Sequence, residues 1–173
     1  LGTLLGFGLA ARALSGGMDP YRLAALGALL GVPAFSAVVF SVPLESAWLF
    51  RTGAFLIGTG GGLFTIATLT AAMRDAAGGN SGLALGAWGA VQATAAGCAI
   101  ALSGLLRDGA SALAASGALG PALNTASTGY MIVYHVEIAL LFACLVVIGP
   151  LVGSRRSSEQ QVNTRIGMAE LPG

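Results

Sequence analysis

Gly129-Tyr130-Met131-Ile132-Val133-Tyr134-His135-Val136-Glu137-Ile138 opens a run that continues without another charge to residue 152. A helix needs about 20 apolar residues to cross the hydrocarbon core of a bilayer, and 129–152 supplies them, interrupted only by His135 and Glu137. Ionisable groups at that depth cost roughly 2.5–3.5 kcal/mol each on insertion scales, so they usually face a bundle interior or a water-filled cavity. The stretch therefore sets the fold, a bundle of membrane-crossing helices, and is the first place to look for function.

The rest of the chain is of the same kind. Hydrophobic residues make up 55% of the 173 and charged residues 9%, whereas a soluble domain carries about 25% charge. Mean hydropathy is +0.84. The composition is that of an all-α integral membrane protein, with the lipid bilayer as its first partner. A net charge of +1 excludes the broad basic face that nucleic acid requires. Cys98 and Cys144 fall in apolar spans without C-x-x-C spacing, which reads as small core residues; no protein-bound metal is expected.

Four further apolar stretches precede the last one: 1–14, 23–42 ending at Pro43, 52–73 between Arg51 and Arg74, and 83–106 closed by Arg107 and Asp108. The chain opens at Leu1 inside an apolar run, with no basic region before it and no A-x-A cleavage site after it. That reads as the remaining part of a transmembrane helix in a longer protein. The expected organisation is a five-span bundle over 1–153 and a polar, weakly ordered tail over 154–173. Residues 108–127, mostly Ala, Gly and Ser, are expected to be a loop with room for a short interfacial helix. All eight basic residues are arginines; six (Arg12, Arg22, Arg74, Arg155, Arg156, Arg165) fall on one side of the alternating spans and two (Arg51, Arg107) on the other. The positive-inside rule puts the C-terminus in the cytoplasm.

Glycines recur at four-residue spacing: Gly2/Gly6, Gly27/Gly31, Gly58/Gly62 and Gly82/Gly86. Small residues in this pattern let helix backbones approach closely, since apolar surface in lipid gains nothing by burial. Gly58, Gly62, Gly82 and Gly86 are the positions expected to pack most tightly. For Gly58-Thr59-Gly60-Gly61-Gly62 a second reading stays open, a groove where a flat ligand meets bare backbone. Around the first connection, Gly8, Arg12, Asp19 and Arg22 resemble a degenerate cytoplasmic loop motif of the major facilitator superfamily; Ala11 stands where an acidic residue is usual.

Longer stretches carry a closer resemblance. Gly60-Gly61-Gly62-Leu63-Phe64, Leu69-Thr70-Ala71-Ala72-Met73, the run from Gly82 to Gly97 that includes Trp88 and Gln92, Gly129-Tyr130 through His135-x-Glu137, and Gly149-Pro150-Leu151-Val152 resemble the PucC family, a major facilitator branch of phototrophic bacteria. The resemblance covers nearly all of 1–152. It implies the C-terminal half of a twelve-helix major facilitator fold, from part of the eighth helix onward. It also implies a bacterial inner, photosynthetic membrane. The implied role is assembly of light-harvesting antenna complexes, with antenna or reaction-centre subunits as partners and bacteriochlorophyll as the candidate cofactor.

The candidate pigment- or ligand-binding residues are His135, Glu137, Tyr134 and Gln92. A neutral imidazole offers one lone pair and no charge to bury, which suits the magnesium of a chlorin. It needs open space beside the ring and an acceptor for its other N–H. A hydrogen bond to another helix and a proton relay are the competing readings. Glu137 is roughly 200° around the helix from His135, so the two face different ways; a protonated Glu137 could donate to a chlorin carbonyl or to a neighbouring helix. Tyr130 and Tyr134 share a face, where a boundary aromatic belt is the ordinary role. Gln92 has an interhelical hydrogen bond as its ordinary role. Catalysis finds no support: one histidine without a near nucleophile forms no triad, and the glycine run lacks the lysine of a phosphate loop. Besides antenna assembly, two readings remain: half of a proton-coupled small-molecule transporter with Glu137 titrating, and a structural subunit of a photosynthetic complex.

Overall fold

A computed structural model describes residues 1–76, 79–125 and 127–169, with side chains up to Val152 except that of Ala122. It is all helical. The five helices are α1 (Gly2–Ser15), α2 (Pro20–Ser41), α3 (Ala47–Asp75), α4 (Ser81–Ala115) and α5 (Thr128–Ala169), with a single 3-10 turn at Pro121–Leu123. Four of them, α2 to α5, are long and apolar enough to cross a membrane. At 14 residues, about 21 Å at 1.5 Å per residue, α1 falls short of a full span.

The helix ends follow local chemistry. Asp19 caps α2 by accepting from the backbone N–H of Tyr21 at 2.9 Å and of Arg22 at 3.1 Å, and Pro20 sits at the first helical position, where its missing N–H costs nothing. Ser46 caps α3 by accepting from Leu49 N–H at 3.3 Å. Helix α1 ends in a Schellman motif: Met18 N–H donates to Ala13 and Gly17 N–H to Leu14. Gly17 has φ +85°, the left-handed conformation that favours glycine.

Two boundaries differ from expectation, for one reason. The apolar span of α4 stops at Arg107 and Asp108, but the helix runs on to Ala115 and closes only where Gly117 takes φ +75°. Residues 108–115, Asp-Gly-Ala-Ser-Ala-Leu-Ala-Ala, contain good helix formers. A charge ends a hydrophobic stretch without ending a helix. Helix α4 is thus 35 residues long, about 52 Å, well beyond the roughly 30 Å hydrocarbon core. Likewise α5 continues past Val152 to Ala169, through the tail expected to be weakly ordered; the side chains there lie outside the described residues.

Packing is centred on α3, which lies against α2 most extensively and against α1 next; α5 joins through α2, and α4 touches α5 more than α3. The contact surfaces are nearly bare backbone. A Cβ at Gly27 would meet Gly60 O at 2.8 Å, and a Cβ at Gly60 would meet Gly27 O at 2.7 Å. On α1, a Cβ at Gly6 would run into Thr59 O, and one at Gly62 would meet Thr3 O at 2.6 Å and Gly6 Cα at 3.0 Å. A Cβ at Gly58 would lie 3.1 Å from Thr3 N. Ala10, Ala24, Ala28, Ala34, Ala67 and Ala71 are among the other buried positions. Larger residues, among them Phe40, Phe55, Leu102, Leu140 and Val146, are turned outward, as expected where lipid tails are the solvent. Hydroxyls within the spans donate to their own helix: Thr59 to Phe55 O at 3.0 Å, Thr70 to Ile66 O at 2.8 Å, Ser36 to Val32 O at 2.8 Å.

Three of the glycines singled out in the sequence do not pack this way. A Cβ at Gly82, Gly86 or Gly8 would meet nothing within 4 Å. For Gly8 the reason is helical geometry: Gly2, Gly6 and Ala10 form the buried face of α1, and two residues of offset turn Gly8 about 200° away from Gly6. For Gly82 and Gly86 the reason is position. None of the most apolar window of α4 is buried, against 44% of that of α2.

Candidate functional site

The four candidate binding residues are distributed over three hollows. Glu137 and Tyr134 line the first, His135 the second and Gln92 the third. His135 and Glu137 face different ways, as their two-residue offset on one helix requires. The cause is the 3.6-residue period: 134 and 137 share a stripe of α5, while 135 lies on the opposite side.

The first hollow, about 440 Å³, lies between two matching stripes: Ile100, Ser103, Gly104 and Arg107 on α4, and Tyr130, Val133, Tyr134 and Glu137 on α5; Phe35 of α2 lines it as well. The Phe35 and Tyr134 rings are 6.0 Å apart between centroids. Arg107 lies over the Tyr130 ring at 5.5 Å and donates from Nη1 to its hydroxyl at 3.3 Å. Its Nη2 and Nε donate to Asp108 Oδ1 at 2.6 and 2.9 Å. Glu137 is half-buried. In the sequence Arg107 marks the end of a span and the orientation; the i, i+3, i+4, i+7 stripes on the two helices were the signal that could have placed it in the same hollow as Glu137.

The second hollow, about 530 Å³, is largely apolar, lined by Leu123, Thr125, Thr128, Met131, Ile132, His135, Val136 and Ala139. His135 is exposed at the bundle surface, not turned into its interior. Its Nδ1 is 2.7 Å from Met131 O. A carbonyl only accepts, so in the neutral ring Nδ1 carries the proton and Nε2 keeps its lone pair. This is the tautomer and support that a metal-ligating histidine uses. The wall on the loop side is held by Thr128, whose hydroxyl donates to Leu123 O at 2.6 Å and pairs with that of Thr125 at 2.9 Å.

The third hollow, about 350 Å³, is floored by Gly27, Gly31, Gly60 and Gly61, walled by Ile57, Phe64, Leu141 and Cys144, and reached by Gln92 and Phe35. Gln92 is on the exposed face of α4. The loop-motif residues stand apart from all three hollows: Asp19 caps α2, while Arg12 and Arg22 are exposed. Nearby, the Tyr21 hydroxyl donates to Asp75 Oδ2 at 2.6 Å, tying the start of α2 to the end of α3. Among the described residues no three of His, Cys, Asp or Glu gather as a metal site.

The fold and its hollows define a multi-pass membrane protein whose polar groups line clefts between helices. Comparison with known proteins makes this specific. The family model for the PUCC protein matches residues 1–156, and the chain belongs to the PucC family. It is 46% identical over 153 residues to Protein PucC of Cereibacter sphaeroides, covering 88% of this chain and 32% of that protein. It is 49% identical over 174 residues to an uncharacterized protein in the puhA-bchM intergenic region of Rhodobacter capsulatus, covering 99% of this chain and 36% of the relative. Protein PucC of Rhodovulum sulfidophilum is 54% identical over 107 residues, covering 62% of this chain and 24% of that protein. The chain thus spans about a third of the length of these curated relatives. No solved structure matches it.

Proposed function

We propose that this chain belongs to a membrane factor that supports assembly of bacterial light-harvesting antenna complexes, by handling bacteriochlorophyll or by contacting antenna subunits. Membership of the PucC family carries this reading. In this reading the bundle is part of a major facilitator fold in the inner, photosynthetic membrane, with the C-terminus cytoplasmic. The role is one of binding and placement, not catalysis.

The residues around His135 fit the group that this role requires. A chlorin would bring a magnesium ion, which an imidazole nitrogen would hold. His135 offers Nε2, its orientation set by the bond from Nδ1 to Met131 O. Leu123, Met131, Ile132, Val136 and Ala139 supply an apolar bed beside the ring, and the site opens at the bundle surface, where a membrane-dissolved pigment can enter and leave sideways. Glu137 lines another hollow and takes no part in this site.

The test is isolation of the protein from pigmented cells in mild detergent. Bacteriochlorophyll and antenna subunits are expected to co-purify; absence of both overturns the proposal.

A further inference from the structure

The third hollow holds two polar side chains without a partner among the described residues. Elsewhere in the spans threonine hydroxyls donate to carbonyls of their own helix, as Thr59, Thr68 and Thr70 do. No hydrogen bond holds the Thr65 hydroxyl or the Gln92 amide, and both residues line the hollow. Hydrocarbon supplies no water to such groups, so each stays costly until a partner arrives.

The register of two helices brings these donors together. Consecutive spans α3 and α4 run antiparallel, and a clasp fastens them where Trp88 Nε1 donates to Thr68 Oγ1 at 3.3 Å. Thr65 stands three residues before Thr68, and Gln92 four residues after Trp88. Steps of three and four keep to one face of a helix, so Thr65 and Gln92 come to the same level, one turn beyond the clasp. That level is nine residues from Arg74 and fifteen from Arg107, about 14 and 22 Å from the two ends of the spans. One turn further along α3, Gly61 also lines the hollow, and a Cβ there would meet nothing within 4 Å. No helix contact requires that glycine.

We propose that the third hollow binds the head of an isoprenoid quinone, with Thr65 and Gln92 donating to its two carbonyl oxygens. Four properties of the lining select this ligand. It contains no Asp, Glu, Lys, Arg or His, which requires a neutral guest. A hydroxyl from one helix and an amide NH2 from the other match a ring with a carbonyl on each of two opposite edges; an acyl chain or a hydrocarbon polyene gains nothing from them. The bare backbone of Gly60 and Gly61, with Phe35 and Phe64 beside it, suits a flat ring. The volume of about 350 Å³ is at the small end of the range for small-molecule sites, about 300–1,000 Å³, and admits one six-membered ring but not a tetrapyrrole. Gly61 and Gln92 are exposed, so the hollow opens sideways and the tail leaves into lipid there. This goes beyond antenna assembly and does not depend on His135, which lines another hollow.

The test uses the protein in nanodiscs with a short-tailed azidobenzoquinone as photolabel, and labelled peptides are identified by mass spectrometry. Labelling of residues 57–65 and 141–144 is expected to saturate and to be displaced by unlabelled ubiquinone. Geranylgeraniol, an isoprenoid tail without the ring, is expected not to displace it. Thr65→Val and Gln92→Leu each remove one donor and are expected to weaken apparent affinity about tenfold; Thr65→Ser keeps a hydroxyl and is expected to retain it. Gly61→Leu fills the hollow without striking a neighbour and is expected to abolish the labelling. All four variants are expected to keep the wild-type unfolding temperature, and His135→Leu to label like wild type. Labelling unchanged in Thr65→Val and Gln92→Leu overturns the proposal, as does displacement by geranylgeraniol, or by bacteriochlorophyll but not ubiquinone.

Discussion

Gly58/Gly62 on α3 and Gly82/Gly86 on α4 have the same residues at the same spacing and opposite surroundings. Gly62 lies against Thr3 and Gly6 of α1 with no room for a methyl group, and Gly58 lies against Thr3 with little to spare; the second pair faces nothing within 4 Å. Four-residue spacing guarantees that two glycines share a stripe of a helix. Whether another helix covers that stripe depends on the route of the whole chain. In this bundle α3 is central and α4 is peripheral, touching α5 more than α3.

The largest expected effect that can break this comparison is at the crossing of α1 and α3. Gly62→Leu must push apart two backbones that meet at Gly6 and Thr3. Overpacking of this kind costs typically 1–3 kcal/mol, and the upper end or beyond is expected here because the obstacle is backbone. Reversible unfolding in detergent measures it. The mirror experiment is Gly86→Leu on the open face of α4, expected to change stability by no more than about 0.5 kcal/mol. Equal losses in the two variants would show that α4 is covered after all.

A smaller effect sharpens the account of where helices begin. Asp19→Ala removes the acceptor for Tyr21 and Arg22 N–H and is expected to cost about 1 kcal/mol, read by the same unfolding assay. Smaller still, Trp88→Phe removes the donor to Thr68 and is expected to cost about 0.6 kcal/mol, the average for side-chain hydrogen bonds between membrane helices. A loss well above that would mean α4 is held mainly by this clasp.

The spans were legible in the sequence because hydropathy is a sum over about 20 residues, and single errors do not move it. The true helix ends were less so. Residues 108–115 are polar enough to leave the membrane and helical enough to continue α4, two properties that hydropathy cannot separate. At the candidate site, the opposed directions of His135 and Glu137 followed from two residues of offset on one helix. The rest of its lining did not: Arg107 and Phe35 come from α4 and α2, and only the packing of three helices brings them into one hollow with Glu137. The same packing separates Gln92 from Glu137, two mid-membrane polar side chains that no local pattern could assign to different hollows.

The proposed role narrows to the imidazole of His135, exposed on α5 with Nδ1 bonded to Met131 O. The measurement that tests it most directly is the bacteriochlorophyll-to-protein ratio of the protein purified from pigmented cells, with His135→Leu beside the wild type. An exposed residue can be replaced without disturbing the bundle, so both proteins are expected in equal yield. Loss of the pigment in the variant is the predicted result. An unchanged ratio would contradict ligation at His135.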